Sequence, residues 1–417
     1  MPFHREKSLY ILSPSGINLT KSRYCIWYLS CYKTSGEINV RILAGFLGVL
    51  FIMVALWDAF ETVVLPRRVT RKVRVARLFY RLTWRVWSAL AHSVSSGRRL
   101  ENYLSFYGPL SLILLLAIWA GILVVGFAIL YWLPGNAVKT PEGNVDFITC
   151  IYYSGTAFFT LGPGDVTPST LVARALVVLE AGIGFGFLAI VISYLPALNQ
   201  SFSKRETNIS LLDSRAGSPP TALEIIRRNM WNGGEALRQL LFEWERWSSE
   251  FLESHLSFPV LAYFRSQHDN QSWLGALTSI LDTSALAIVG FEGACQNQAR
   301  LTFAMARHAI VDMALILQCP PCEPDEDRFP TGTPSLQSTL GKEGVELRLK
   351  SDTDEKLKEL RKMYEPYVYA LSEYLCLSLP PLIPESNQLD NWQISEWGPS
   401  AGLNKIGRPG GSRNTHF

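Results

Sequence analysis

Charged residues are scarce in this sequence of 417 residues. Asp, Glu, Lys and Arg make up 18% of it, against about 25% in soluble domains, and 48% of the residues are hydrophobic. Between Glu101 and Lys139 there is no charged residue at all. This composition argues against a disordered or collagen-like chain and against a nucleic-acid-binding protein, which would carry a basic surface.

Several catalytic signatures are absent as well, above all from the second half of the chain. Residues 205–417 contain no Gly-rich phosphate loop, no HExxH and no Gly-x-Ser-x-Gly, and they show no alternation of strands and helices. Cys319 and Cys322 form one CxxC pair, with no second pair to complete a metal site. We therefore predict that the chain is not an enzyme, and we identify no cofactor and no small-molecule substrate.

The few charges are unevenly divided along the chain. Residues 1–204 have a net charge of +10 and residues 205–417 one of −7, which together give the formal +3. Ten basic residues lie between Arg67 and Arg99, in a segment without a single acid. Because cytoplasmic loops of membrane proteins concentrate Lys and Arg, this segment is predicted to be cytoplasmic.

Three apolar runs in the first half are long enough to cross a bilayer, which takes roughly 20 residues. They predict transmembrane helices at about 42–65, 107–133 and 170–196 of a multi-pass protein of the cell membrane. With the basic segment inside, the N-terminus and residues 134–169 are outside, and the C-terminal half is cytoplasmic. No small-residue cleavage site follows the first run, so no cleaved signal is predicted. Pro196 should end or kink the third helix.

The basic segment has the period of an amphipathic helix that contacts membrane lipids. Its arginine face consists of Arg67, Arg71, Arg74, Arg81 and Arg85. Its apolar face consists of Val69, Val73, Phe79, Val86, Trp87 and Leu90. Trp together with Arg suits the headgroup interface. A voltage-sensing helix is the alternative, but only one span precedes the segment, and it supplies only Asp58 and Glu61 as counter-charges.

A short apolar segment between the second and third spans carries the most informative pattern. Phe147–Phe159 is too short to cross the membrane, and Thr160-Leu161-Gly162-Pro163-Gly164-Asp165 follows it directly. A half-helix that returns as extended backbone is stable at membrane depth only inside protein or beside a watery cavity. Glycines that alternate with larger residues permit alternating backbone handedness, so successive carbonyls can point to one side. A column of carbonyls can replace the hydration shell of a monovalent cation.

Residues 107–200 resemble the pore module of potassium channels, with an outer helix, a pore helix, a filter and an inner helix in that order. The filter of that family reads Thr-Val-Gly-Tyr-Gly-Asp, and five residues match it by identity or similarity: Thr160, Leu161, Gly162, Gly164 and Asp165. The resemblance implies that K⁺ is held by the backbone carbonyls of Thr160, Leu161, Gly162 and Pro163. It also implies a homotetramer, because one chain supplies one wall of the filter.

Pro163 departs from the family, which has Tyr or Phe at this position. Proline fixes φ near −65° and has no N–H, and the aromatic ring that supports the filter from behind is missing. Two alternatives to a potassium channel therefore stay open. One is a weakly selective cation channel. The other is a non-conducting membrane sensor or scaffold, in which the half-helix and its loop form a packed re-entrant plug.

The third span carries three glycines and one acid. The glycines are Gly182, Gly184 and Gly186, and they serve either as a gating hinge or as a close helix contact. Gly184 lies where the family keeps its hinge glycine. Glu180 either faces the cavity and attracts cations or sits behind the pore helix near Ser154 or Thr156.

The expected fold is an all-α membrane protein with three transmembrane helices, a re-entrant pore helix and a helical cytoplasmic domain. Its segments are an extracytoplasmic stretch at 1–40, a first transmembrane helix at 41–66, a basic linker at 67–106, the pore module at 107–200, the helical domain at 205–384 and a disordered tail at 385–417. Within the helical domain, Thr221 and Glu224 form a capping box, and Gly233-Gly234 break the first helix. Further helices are predicted at 258–266, 272–291, 297–317 and 354–377.

Overall fold

The computed structural model describes residues 40–65, 75–91, 98–141, 143, 145–230, 232–267, 270–323, 328, 338, 341, 352–383 and 390–391. The predictions for residues 1–39 and for the first half of the basic segment lie outside these residues. By its internal contacts the chain divides into two units. One consists of Met1–Leu56 and Ala120–Gly186, the other of Trp57–Trp119 and Phe187–Phe417.

The first half of the described chain is helical apart from a two-residue strand pair. Its helices are α1 (Val40–Val63), α2 (Val75–Ala91), α3 (Arg98–Ser105), α4 (Tyr107–Trp132), α5 (Phe147–Phe158) and α6 (Leu171–Ala216). Strand β1 (Val138–Lys139) pairs antiparallel with β2 (Thr167–Pro168), so that Val138 faces Pro168. The last turn of α1 is a π-helical turn at Phe60–Val64.

Three helical segments correspond to the three predicted spans. Val40–Val63 (α1), Arg99–Trp132 (most of α3 together with α4) and Leu171–Ala216 (α6) are long and apolar enough to cross a membrane. The third is longer than expected, since α6 continues through Pro196 for another 20 residues. Of the two predicted effects of Pro196, an end or a kink, the end is therefore wrong. A proline inside a helix costs about 3 kcal/mol, and burial of Tyr194 and Leu198 beside Val260 and Leu261 offsets that cost.

The membrane helices α1 and α4 approach each other closely at two glycines. A Cβ placed on Gly48 would lie 2.9 Å from the carbonyl oxygen of Gly126, and one on Gly126 would lie 3.0 Å from that of Gly48. Small residues at a helix crossing let the two backbones pack together without large side chains between them. Gly48 and Gly126 therefore fix the place where these two helices cross.

The second half of the described chain forms a helical bundle with its own core. Its helices are α7 (Ala222–Asn229), α8 (Glu235–Ser257), α9 (Trp273–Gly290), α10 (Ala294–Leu317), α11 (Thr353–Lys362) and α12 (Glu365–Leu375), with 3₁₀ turns at Asn232–Gly234 and Pro259–Tyr263. The core is formed by apolar side chains from all of these helices. A core of this kind drives folding by removing apolar surface from water.

The start of this bundle confirms one prediction and half of another, and two others need correction. Thr221 Oγ1 accepts a hydrogen bond from the Glu224 N–H at 3.3 Å, which is one half of a capping box. The reciprocal bond is not made, because the Thr221 N–H donates to the Ala216 carbonyl and the Glu224 carboxylate pairs with Arg227 and Arg228. Gly233 has φ of 70° and separates α7 from α8. The predicted helix at 258–266 is only a 3₁₀ turn, and the predicted helix at 354–377 is two helices. The break between these two helices falls before Pro366, which has no backbone N–H to donate to a helical hydrogen bond.

Helix α9 is also apolar enough to span a membrane, but it is the central helix of the bundle. Of the 18 residues of this helix, 89% are buried inside the protein. Asp282, in the middle of the helix, forms an ion pair with Arg328 at 3.0 Å. A helix that is apolar on all sides lies either in a membrane or in the core of a domain. Its neighbours α7, α10 and α11 cover it here, so we assign it to the core.

The predicted apolar face of α2 is partly buried in the single chain. Phe79 is buried and Trp87 packs against the core, together with Ala76, Trp84 and Ala91, whereas Val86 and Leu90 are 62% and 54% exposed. Trp84 decides this orientation, because its indole N–H donates to the carbonyl of Tyr374 at 2.7 Å. A large aromatic residue with a buried hydrogen bond outweighs two aliphatic side chains that remain exposed.

The predicted tail is not entirely separate from the bundle. The carboxylate of Asp390 is buried and forms an ion pair with Arg228 at 2.9 Å, and the N–H of Asn391 donates to Ser218 Oγ at 3.0 Å. A buried arginine needs such a partner, since an unpaired charge in the interior is costly. The assignment of disorder to 385–417 is therefore wrong at residues 390–391, and the rest of that segment lies outside the described residues.

Candidate functional site

The candidate site begins with the short helix α5, which has 12 residues. Its N-terminus is capped by Asp146, whose carboxylate accepts a hydrogen bond from the Thr149 N–H at 2.8 Å. The strand pair described above joins the chain just after α4 to the chain just before α6. These contacts fix both ends of the segment that contains α5 and the loop after it.

The loop after α5 has an alternating backbone. The angle φ is positive at Thr160 (55°), Gly162 (57°) and Gly164 (81°), while Leu161 and Pro163 between them are outside the positive region. Glycine adopts this conformation at no steric cost, but Thr160 pays roughly 1–2 kcal/mol for it. An alternation of this kind allows successive peptide carbonyls to point toward one side of the loop.

Two hydrogen bonds hold the start of this loop against α5. The N–H of Leu161 donates to the Thr156 carbonyl at 2.8 Å, and that of Thr160 donates to the Ala157 carbonyl at 3.1 Å. Both bonds are made with the last turn of α5. The helix C-terminus carries partial negative charge, and it therefore lies directly beside the first carbonyls of the loop. The side chains from Thr160 to Asp165 are all exposed in the single chain.

A side chain of α5 also lies near the far end of the loop. The hydroxyl of Tyr152 is close enough to the carboxylate of Asp165 to interact with it electrostatically. The sequence pattern did not single out Tyr152, although it lies on the half-helix, eight residues before the first residue of the loop.

Glu180, on α6, is fully buried behind α5. Its carboxylate accepts hydrogen bonds from the hydroxyl of Tyr131, on α4, at 2.8 Å, and from that of Ser154, on α5. Ser154 also contacts the Val124 carbonyl at 2.8 Å. Of the two positions considered for Glu180, this is the one behind the half-helix. The buried carboxylate of Glu180, on α6, thus links its own helix to α4 and α5 through these two hydrogen bonds.

The three glycines of α6 differ in their surroundings. A Cβ on Gly184 would lie 1.9 Å from the carbonyl oxygen of Phe158, the last residue of α5, whereas nothing lies within 4 Å of a Cβ on Gly182 or Gly186. Gly184 is therefore a close contact between two backbones, and only glycine fits there. Two of the four candidate residues on α6, Glu180 and Gly184, thus contact α5. The other two, Gly182 and Gly186, border open space.

Asp58 is a structural residue that the sequence analysis considered only as a counter-charge. Its carboxylate accepts from the N–H groups of Val75 at 3.0 Å and Ala76 at 2.9 Å, and from the indole N–H of Trp119 at 2.9 Å. It therefore caps the first residues of α2 and holds them against α4. An acid within an apolar run, followed by a helix of basic residues, is the signal that could have identified it.

Comparison with known proteins identifies the segment that holds this site. Residues 115–200 match a family described as an ion channel, and the match includes α5, the alternating loop and most of α6. The chain is also similar to an uncharacterized membrane protein, YdjJ, of Bacillus subtilis (strain 168), with 30% identity over 188 residues. That alignment covers 43% of this chain and 52% of the relative, so the chain spans about half of the relative's length. No solved structure matches it.

These findings confirm the resemblance and the fold class. The chain is an all-α membrane protein, and its residues 115–200 have the sequence of an ion-channel pore module. The relative is itself described as a membrane protein, in agreement with a multi-pass membrane location.

Proposed function

We propose that this chain is a subunit of a potassium channel in the cell membrane, with its filter at residues 160–165. K⁺ passes along the backbone carbonyls of Thr160, Leu161, Gly162 and Pro163. The observation that carries this proposal is the alternating backbone of the loop, with φ positive at every second residue. A row of carbonyls turned to one side offers the coordination that replaces the water around a monovalent cation.

The surroundings of the loop support the same role. The C-terminus of α5 points its partial negative charge at the start of the loop, which stabilises a cation there. Asp165 adds a full negative charge at the other end and raises the local concentration of cations. Pro163 is compatible with the alternation, because its ring holds φ near −65° between two glycines of positive φ.

The geometry of one chain supports a homotetramer. The loop supplies one wall of a filter, and its residues are exposed in the single chain. Large apolar side chains on α5 and α6 are exposed as well, among them Ile148 (73%), Val178 (72%) and Phe185 (70%). Four copies around one axis complete the filter and bring such surfaces together in a closed ring. In this arrangement the basic helix α2 and the helical bundle are on the cytoplasmic side.

Flux measurements on the purified full chain test this function. In liposomes with a K⁺ gradient, the wild-type protein should give K⁺ flux, and Gly162→Ala should abolish it, since alanine at φ of 57° is strained. Gly143→Ala is the matched control. Gly143 also has positive φ, of 74°, but lies outside the filter, so flux should remain. No flux of any cation in wild-type protein would contradict the proposal and favour a non-conducting sensor or scaffold.

Pro163 determines how selective the pore is, and a weakly selective cation channel is the second candidate. The side chain of proline cannot hydrogen bond behind the filter as a tyrosine does, so the filter diameter is held by fewer contacts. We expect Pro163→Tyr to raise the ratio of K⁺ to Na⁺ permeability, measured from reversal potentials in planar bilayers. An unchanged ratio would contradict this account of Pro163, because it would show that the missing aromatic ring does not limit selectivity.

A further inference from the structure

A cavity lies within the second unit. It is lined by the end of α1, by α2, α4 and α6, and by the helical bundle. Its volume is about 240 Å³, larger than the roughly 150 Å³ apolar cavity that binds benzene in another protein. Leu112, Leu115, Leu116 and Trp119 of α4 form one wall. Tyr194 of α6 and Val260 of the bundle line it as well. Most of the lining is therefore apolar.

The wall opposite α4 is held rigidly by aromatic contacts. The rings of Tyr80 and Tyr263 stack with centroids 5.7 Å apart and an interplanar angle of 11°. The hydroxyl of Tyr263 lies 3.0 Å from that of Tyr374 in the same lining. Stacked and hydrogen-bonded aromatic side chains favour a preformed site, as is typical of ligand cavities.

The polar part of the lining is concentrated on α2 and at the end of α10. Among the described residues, the charged ones that line the cavity are Arg77, Arg81 and Asp312, which together give a formal charge of +1. The guanidinium of Arg81 is held by a hydrogen bond to the side chain of Gln318. His308 lies 3.4 Å from Asp312 and faces that carboxylate. A ligand with one negative charge would neutralise this lining.

We propose that this cavity binds a single-chain amphiphile with a monoanionic head, such as a long-chain carboxylate, with the head at Arg81 and the chain beside α4. The wall from Leu112 to Trp119 belongs to the first turns of a membrane-spanning helix, so the cavity lies at the depth where such molecules dissolve. The volume suits one alkyl chain, whereas a phospholipid has two. This site goes beyond the proposed channel function and does not depend on it.

Photo-crosslinking on the purified full chain tests the proposal. The probe is stearate with a diazirine in its chain, and the labelled residues are mapped by mass spectrometry. We expect labels on Leu116, Val260 and neighbouring lining residues, and competition by oleate. Arg81→Gln should weaken the competition by oleate about tenfold, because a charge-assisted bond to the head is lost. Arg85→Gln is the matched control, since Arg85 is one turn away and does not line the cavity.

A second variant tests the chain-binding part without changing a charge. Ile316→Trp fills the cavity from α10 and should abolish labelling of Leu116, while the melting temperature shows whether the bundle remains folded. Labels spread over the exposed residues Ile113 and Leu114 rather than the lining would overturn the proposal. Competition by a two-chain phosphatidylglycerol and not by oleate would overturn it as well, as would equal effects of Arg81→Gln and Arg85→Gln.

Discussion

At the scale of the residue, the structure separates glycines that look alike in the sequence. Gly182, Gly184 and Gly186 occupy alternate positions in α6, and a gating hinge or a helix contact explains their pattern equally well. Only Gly184 lies against another backbone, at the end of α5. Its role as a contact follows from that distance, which no pattern in a single helix could provide.

Alanine substitutions should reveal this difference. Gly184→Ala places a methyl group 1.9 Å from the Phe158 carbonyl, so α5 must move and we expect the fold around the loop to be lost. Gly182→Ala and Gly186→Ala add a methyl group in open space and should remain folded, with the small gain in helix stability that alanine gives over glycine. Thermal melting and K⁺ flux of the three variants measure this. Equal behaviour of all three would contradict the contact.

His255 makes the stability of the bundle depend on pH. Its ring is buried between Phe251 and Trp273, and burial, together with the positive charge of Arg205, lowers its pKa to about 3. In the unfolded chain the pKa of histidine is near 6.5. Below that pH the unfolded state takes up a proton that the folded state does not, so stability falls by up to about 1.4 kcal/mol per pH unit.

The melting temperature of the bundle should therefore fall between pH 7 and pH 5, as followed by circular dichroism. His255→Phe should reduce this fall, because the proton acceptor is gone. A fall of the same size in the wild-type protein and in this variant would show that other groups cause the pH dependence.

At the scale of the element, α2 shows how one buried acid positions a whole helix. Helical periodicity in the sequence predicts α2, yet it does not give its orientation. Asp58 holds its first two N–H groups and Trp119 together, and Trp84 holds its middle against Tyr374. These contacts leave Val86 and Leu90 exposed, on a face that differs from that of Arg81 and Arg85.

Removal of the Asp58 carboxylate should therefore loosen α2. Asp58→Ala leaves two N–H groups and the Trp119 indole N–H without their acceptor, which costs about 1–3 kcal/mol for each buried group. We expect a lower melting temperature and faster hydrogen exchange at residues 75–79. Asp58→Asn keeps one acceptor and should have a smaller effect. Unchanged exchange in Asp58→Ala would show that the contact with Tyr374 suffices to order the helix.

At the scale of the whole molecule, the proposed channel needs further copies of the chain to complete its filter. The loop at 160–165 and apolar side chains of α5 and α6 are exposed in one copy. The bundle, by contrast, has a core within the single chain, to which α2, α3 and the end of α6 also contribute. We therefore expect the membrane part, rather than the bundle, to assemble.

The purified full chain should have the mass of four copies of 46.8 kDa. Light scattering in detergent, corrected for the bound detergent, measures this mass. A pair of cysteines at neighbouring outer-mouth positions would add a second readout through cross-linked dimers, trimers and tetramers. A monomer or dimer of constant mass over a range of concentrations would contradict the closed ring of four.

The sequence alone determined the membrane helices, the half-helix and the loop. Long charge-free runs can only be explained by a bilayer, and alternating glycines directly after a short apolar helix predict the alternating φ that the loop shows. The N-cap at Thr221 and the break at Gly233 are equally local, since each depends on residues within one turn. Local chemistry was sufficient for these features.

Only the tertiary structure decided which partners these elements meet. The length of α6 beyond Pro196, the position of Glu180, the buried face of α2 and the placement of α9 in a core rather than a membrane all depend on contacts between residues far apart in the chain. Packing energy from such contacts exceeds the local preferences of about 1–3 kcal/mol that a sequence pattern expresses. The cavity beside Arg81 belongs to the same group, because its lining comes from residues 62 to 374 and exists only after folding.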